Sequence, residues 1–212
     1  VMMAVLALNN RLPEMVTHQR SGRWQQCFST TLAGKTLLII GVGHIGSAVA
    51  RWAKGVGLHV IGIRRSGKPR RWVDEMYQTG ELVFVLPRAN FVLISAPHTR
   101  ETDQLIGARE LDKMKSGAGL INYSRAGLVD YEALRARLDT GRLSAVLDVF
   151  SPEPLPTESP LWQTKNLLIT PHCSSDDQAY YTPRTLDLVF DNVQRFIEGK
   201  PLRNCVSRRL QY

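Results

Sequence analysis

Apolar and polar positions fall in two kinds of block along this chain. Short apolar runs occupy Thr36–Ile40, Leu58–Ile63, Phe91–Ser95, Leu120–Asn122, Ala145–Leu147 and Leu167–Ile169, and read as buried strands. Between and after them, Ile45–Lys54, Glu81–Leu86, Glu132–Asp139 and Leu186–Glu198 read as helices. Ahead of the first strand, Met2–Arg20 is helical, with Pro13 expected to kink or break it. Ser21–Trp24 and Ser29–Thr31 mark a loop before the first strand. Strand and helix in alternation imply βαβ units, so the expected fold is α/β, a doubly wound parallel sheet with helices on both faces. No internal repeat or low-complexity tract interrupts it. The run Ser151–Pro156 holds three prolines; it follows a strand at once and presents a carboxylate, so it reads as a stiff loop rather than a linker.

Composition narrows the class. Hydrophobic residues are 43% and charged residues 22% of the 212, an ordinary globular balance. No apolar run reaches the ~18–20 residues of a membrane span, and no membrane partner is expected. Val1–Leu8 is apolar but lacks a basic leader and a small-residue cleavage site, so it is not read as a signal peptide. A chain beginning with Val reads as cut from something longer. The three cysteines, Cys27, Cys173 and Cys205, are odd in number and widely spaced, which points to a reducing, cytoplasmic compartment. The net charge is +8, and its one dense cluster is Arg64, Arg65, Lys68, Arg70 and Arg71. No aromatic-rich basic strand or zinc-finger spacing accompanies it, so neither nucleic acid nor a bound metal is expected.

The cluster matters for its place. Gly41-Val42-Gly43-His44-Ile45-Gly46 matches G-x-G-x-x-G after a predicted strand and at the opening of a helix, the context that gives the motif meaning. Gly41 permits the tight turn, Gly43 leaves room for a pyrophosphate, and Gly46 lets helix and strand pack closely. This is the signature of a Rossmann-type dinucleotide-binding domain, with the helix N-terminus offering N–H groups to phosphate. NAD-binding folds set an acid about 20 residues further on, for the ribose 2′-OH. Here that position reads Gly62-Ile63-Arg64-Arg65-Ser66. A guanidinium there suits a 2′-phosphate, so NADP(H) is expected, with NAD the alternative.

Four further stretches complete a pattern: Ala96–Thr102, containing Pro97 and Thr99; Ile121–Asp130; Leu147–Pro156; and Thr170-Pro171-His172. Their order and spacing resemble the D-isomer-specific 2-hydroxyacid dehydrogenase family, most closely its glyoxylate/hydroxypyruvate reductase branch. The resemblance runs through Asn192-Val193 to Gly199–Leu202. It implies that Arg125 binds substrate and that Glu153 and His172 form the acid–base pair. It implies that Asp148 lies near the nicotinamide, and that His44, Ile45, Thr99, Tyr123 and Ser124 touch cofactor, with Pro97, Arg125 and His172 beside them. The chemistry asks for these residue types in any case. Reducing a 2-oxo acid needs a proton donor near neutral pH, which histidine supplies. A carboxylate favours the imidazolium and fixes the ring. An arginine grips the substrate carboxylate and polarises the carbonyl.

The chain departs from the family at Ala126, where glycine is commoner, and at Cys173-Ser174-Ser175, where small apolar residues are usual. The resemblance further implies roughly a hundred residues ahead of Val1, forming a lobe that closes over the cofactor. The expected division is a dinucleotide-binding domain with an N-terminal linking helix over 1–181, and over 182–212 the C-terminal piece of an incomplete substrate domain. It also implies a homodimer formed through Met2–Arg20 and a small anionic 2-oxo acid as substrate. Three other readings stand: an NAD-dependent dehydrogenase of a larger 2-hydroxy acid, a dinucleotide-sensing corepressor-like binding module, and a truncated, inactive product.

Overall fold

The computed structural model describes residues 1–174, 177 and 179–209; Ser175 and residues 210–212 lie outside them. Its centre is a seven-stranded, all-parallel sheet ordered β3-β2-β1-β4-β5-β6-β7. The strands are β1 Thr36–Ile40, β2 His59–Ile63, β3 Glu75–Tyr77, β4 Phe91–Ile94, β5 Gly119–Asn122, β6 Ser144–Leu147 and β7 Leu167–Ile169. The helices are α1 Met2–Asn9, α2 Leu12–Arg20, α3 His44–Gly55, α4 Leu82–Val85, α5 Ala108–Lys113, α6 Tyr131–Asp139 and α7 Tyr181–Ile197, with four short 3-10 turns among them. The order reverses between β1 and β4, which is the topological switch point where such sheets bind ligands.

Alternation along each strand explains why the strands read as continuous apolar runs. Leu38 and Ile40 of β1 join Ile61, Ile63, Val92, Ile94, Leu120 and Leu147 on one face, under α4, α5 and α6. Leu37 and Ile39 join Val60, Leu93, Ile121 and Val146 on the other, under α1 and α3. Both faces are dry, as parallel sheets require. Helix α1 belongs to that second layer: Ala4 and Val5 are fully buried, and the Leu8 side chain lies so close to Gly119 that a Cβ there would stand 2.7 Å from it.

The structure differs from the sequence reading at four places. The first helical stretch breaks at Asn10–Arg11, where Arg11 adopts a left-handed φ of 56°, and not at Pro13. Pro13 instead occupies the first turn of α2, where its missing N–H is no loss. Strand β3 and helix α5 were not foreseen. Helix α7 begins five residues earlier than its apolar pattern, since Pro183 sits harmlessly in the first turn.

The chain forms two compact units, Val1–His172 and Cys173–Tyr212. The second is built on α7, whose Leu186, Val189, Phe190, Val193, Phe196 and Ile197 are exposed. No helix among the described residues is long and apolar enough to cross a membrane.

Candidate active site

A parallel sheet points all its C-terminal strand ends the same way, and every residue singled out from sequence follows one of those ends. Gly41–Gly46 follows β1, Arg64 and Arg65 follow β2, and Pro97 and Thr99 follow β4. Tyr123, Ser124 and Arg125 follow β5, Asp148 and Glu153 follow β6, and His172 follows β7.

Two of the three motif glycines answer to the fold. Gly41 has φ +99°, and a Cβ on it would lie 2.4–2.6 Å from backbone atoms of Ser95 and Ala96. A Cβ on Gly46 would lie 2.4 Å from the Gly41 carbonyl oxygen. Gly43 is different: nothing among the described residues comes within 4 Å of where its Cβ would stand. No packing demand of the chain accounts for a glycine there, and no side chain caps α3, so the N–H groups of its first turn remain for a ligand. His44 and Ile45 flank that opening, with Ile45 61% exposed. These features fit a dinucleotide pyrophosphate.

The loops after β4 and β5 are tied together. Ser124 Oγ donates to the Ala96 carbonyl at 2.5 Å. Thr102 Oγ1 accepts from Thr99 N and donates to the Pro97 carbonyl, each at 2.8 Å, which folds the Pro97–Thr102 turn and buries Thr99. Below the loop after β5 lies a polar network that sequence reading missed. Buried Asn122 donates from Nδ2 to the Arg125 carbonyl at 2.9 Å and to the Tyr131 hydroxyl at 3.0 Å. Tyr131 in turn donates to the Val149 carbonyl at 2.8 Å, and burial pushes its phenol well above the usual range. Asn122 and Tyr131 thus tie Arg125's backbone to the loop after β6. Arg125 itself is exposed, with Nη1 donating to the Ser124 carbonyl at 2.7 Å.

Glu153 and His172 meet. Glu153 Oε2 lies 2.7 Å from His172 Nδ1, and Glu153 Oε1 accepts from Phe150 N at 2.7 Å. The contact to His172, then the Phe150 N–H, with Arg125 nearby, hold the Glu153 carboxyl below its ordinary range. His172 has a left-handed φ of 51°, a conformation that costs an ordinary side chain on the order of 1 kcal/mol. Its Nε2 has no partner among the described residues. Asp148 is 1% exposed and accepts from Thr170 Oγ1 at 2.5 Å.

The two arginines after β2 part company. Arg65 donates to Glu101 Oε2 at 2.6 Å. Arg64 is half-buried and makes no side-chain bond among the described residues; its backbone N–H donates to the Tyr77 carbonyl at 3.1 Å.

The family model for the D-isomer specific 2-hydroxyacid dehydrogenase NAD binding domain matches residues 2–174. The chain belongs to this family. It is 33% identical to a glyoxylate reductase of Korarchaeum cryptofilum over 97% of its length, and 36% identical to glyoxylate/hydroxypyruvate reductase B of Erwinia tasmaniensis over 99%. It spans 64% of the first of these proteins and 67% of the second. Among solved structures it resembles a family member from Xanthobacter autotrophicus in complex with NADPH and MES, with TM-score 0.89 and 34% identity, over 100% of this chain and 87% of that one. It resembles equally, with TM-score 0.89 and 29% identity, an NADPH-dependent glyoxylate/hydroxypyruvate reductase from Sinorhizobium meliloti in complex with NADP and sulfate. That match covers 100% of this chain and 68% of the other.

Proposed function

We propose that this chain forms the dinucleotide-binding and acid–base part of an NADP(H)-linked reductase of small 2-oxo acids such as glyoxylate or hydroxypyruvate. The observation that carries the reading is the 2.7 Å Glu153–His172 contact, at the same edge of the sheet as Arg125 and the open glycine turn. When bound, the dinucleotide supplies the hydride. Gly43 and the first turn of α3 would hold its pyrophosphate, and Arg64 would hold a 2′-phosphate. Arg125 grips the substrate carboxylate and polarises the 2-oxo group. His172 gives the proton from Nε2 to the carbonyl oxygen, and Glu153 holds the ring by Nδ1. Asn122 and Tyr131 act one step back, by fixing the loop that carries Arg125.

The reading is tested by following NADPH oxidation with glyoxylate as acceptor. Wild-type protein oxidises NADPH only when the acid is present. Arg125→Lys keeps the charge and loses the planar fork, so both KM and kcat worsen. Wild-type kcat/KM in that variant contradicts the role given to Arg125.

Cofactor preference rests on Arg64 more than on Arg65, whose guanidinium already serves Glu101. A charge-assisted bond to the 2′-phosphate contributes roughly 1.5–3 kcal/mol, or about ten- to a hundred-fold in preference. Arg64→Asp shifts kcat/KM towards NADH by that order, and Arg65→Ala shifts it less. Equal weakening of both cofactors by Arg64→Asp would rule the phosphate contact out. The acid of Glu101 beside Arg65 is what favours the NAD-linked alternative, and the same experiment decides between them.

A further inference from the structure

We propose that Glu14, His18 and Cys27 form a zinc site, separate from the candidate active site, that pins the coil before β1 onto α2. Glu14 and His18 stand at i and i+4 on one face of α2. The irregular segment 23–31 turns back and brings Cys27 beside them. One ligand atom from each of the three lies within 4.8 Å of the other two. Tetrahedral zinc, with bonds of 2.0–2.3 Å, separates its ligands by roughly 3.3–3.8 Å, so closure needs about an ångström of side-chain movement.

The imidazole is uncommitted. His18 Nδ1 is buried without a partner, and Nε2 stands 3.7 Å from Glu14 Oε1, beyond hydrogen-bond reach. Neither ring nitrogen therefore carries a hydrogen bond among the described residues that a metal would have to displace. Glu14 is held by Arg11 at 2.8 and 2.9 Å, yet a carboxylate keeps lone pairs for a second partner. Arg11 then orients a metal ligand from outside. One thiolate, one imidazole and one carboxylate suit zinc rather than the hard cations, and the two anionic ligands balance its charge. On binding, the Cys27 thiol loses its proton to solvent.

The site has a way in. Glu14 and His18 line a cavity of about 530 Å³ whose wall includes Lys35, Asn90, Ser144 and Asn166, which precede or begin strands. That is the N-terminal edge of the sheet, opposite the edge that carries His172.

The test titrates the full chain, stripped with chelator, with Co²⁺ as a spectroscopic stand-in. One Co²⁺ binds per chain with a thiolate-to-cobalt charge-transfer band, and Zn²⁺ displaces it. Cys27→Ser abolishes the band, and His18→Gln and Glu14→Gln each weaken binding about ten-fold or more. A Cys173→Ser, Cys205→Ser double variant keeps the band. Independently of any variant, Zn²⁺ slows tryptic cleavage at Arg23 in the coil. The proposal is overturned by a wild type with no thiolate band, by a band that survives Cys27→Ser or follows Cys173, or by cleavage at Arg23 indifferent to Zn²⁺.

Discussion

His172→Ala lowers the rate of 2-oxo acid reduction by ~10²–10⁴, the usual share of general acid catalysis, while dinucleotide affinity changes far less. The two readouts separate because His172 meets Glu153 through Nδ1 and leaves Nε2 for the substrate oxygen, whereas the pyrophosphate turn is built from β1 and α3. Glu153→Gln has a different signature. A neutral amide keeps a polar group beside Nδ1 but loses the carboxylate, so reductase activity falls and the dependence that the Glu153 carboxyl imposes at acid pH disappears. Glu153's carboxyl is depressed, so its contact with His172 contributes fully above the ordinary carboxylate pKa of ~4.3 and is lost as pH falls from there through the lowered value. Steady-state pH profiles of both variants check this. An unchanged rate in His172→Ala ends the assignment.

The two glycines of the turn respond in opposite ways to the same substitution. Gly41→Ala forces a Cβ to within 2.6 Å of the Ser95–Ala96 backbone at a φ that disfavours any side chain. Neither neighbour is the flexible end of a side chain, so the fold pays, by about 4 kcal/mol or more. That is comparable with the whole stability of a marginal domain, and the expected outcome is insoluble or unfolded protein. Gly43→Ala meets open space. Its stability stays within about 0.5 kcal/mol of wild type, while dinucleotide affinity falls about ten-fold or more, equivalent to ~1.4 kcal/mol. Thermal melts with and without NADPH separate the two effects. Wild-type NADPH affinity in Gly43→Ala shows that the turn receives something else.

What could be read from the sequence, and what could not, follows from where the information sits. Six strands announced themselves because both faces of a parallel sheet are buried, which leaves an unbroken apolar run. Strand β3 did not: Glu75-Met76-Tyr77 lies at the sheet edge, half-buried. It is tied down by Glu75, which accepts from Arg88 and Tyr77 and meets His59. Helix α5 buries only Leu111 and so carries no apolar period. Arg125, Glu153 and His172 were candidates because each lies inside a local motif, and the fold brings the last two within 2.7 Å. Asn122 and Tyr131 were not, since a tyrosine opening a helix signals nothing until the chain folds its hydroxyl under the loop after β5. The separate engagement of Arg65 by Glu101 was hidden for the same reason, since the two stand 36 positions apart.

The central claim, hydride transfer from a nicotinamide dinucleotide to a 2-oxo acid, is tested most directly by isotope. Glyoxylate is incubated with the protein and NADPH bearing deuterium at both positions of nicotinamide C4, and the glycolate is analysed by mass spectrometry. The account predicts glycolate carrying one deuterium on its hydroxyl-bearing carbon, formed ~10²–10⁴ times more slowly by His172→Ala. Glycolate that carries no deuterium on that carbon contradicts it.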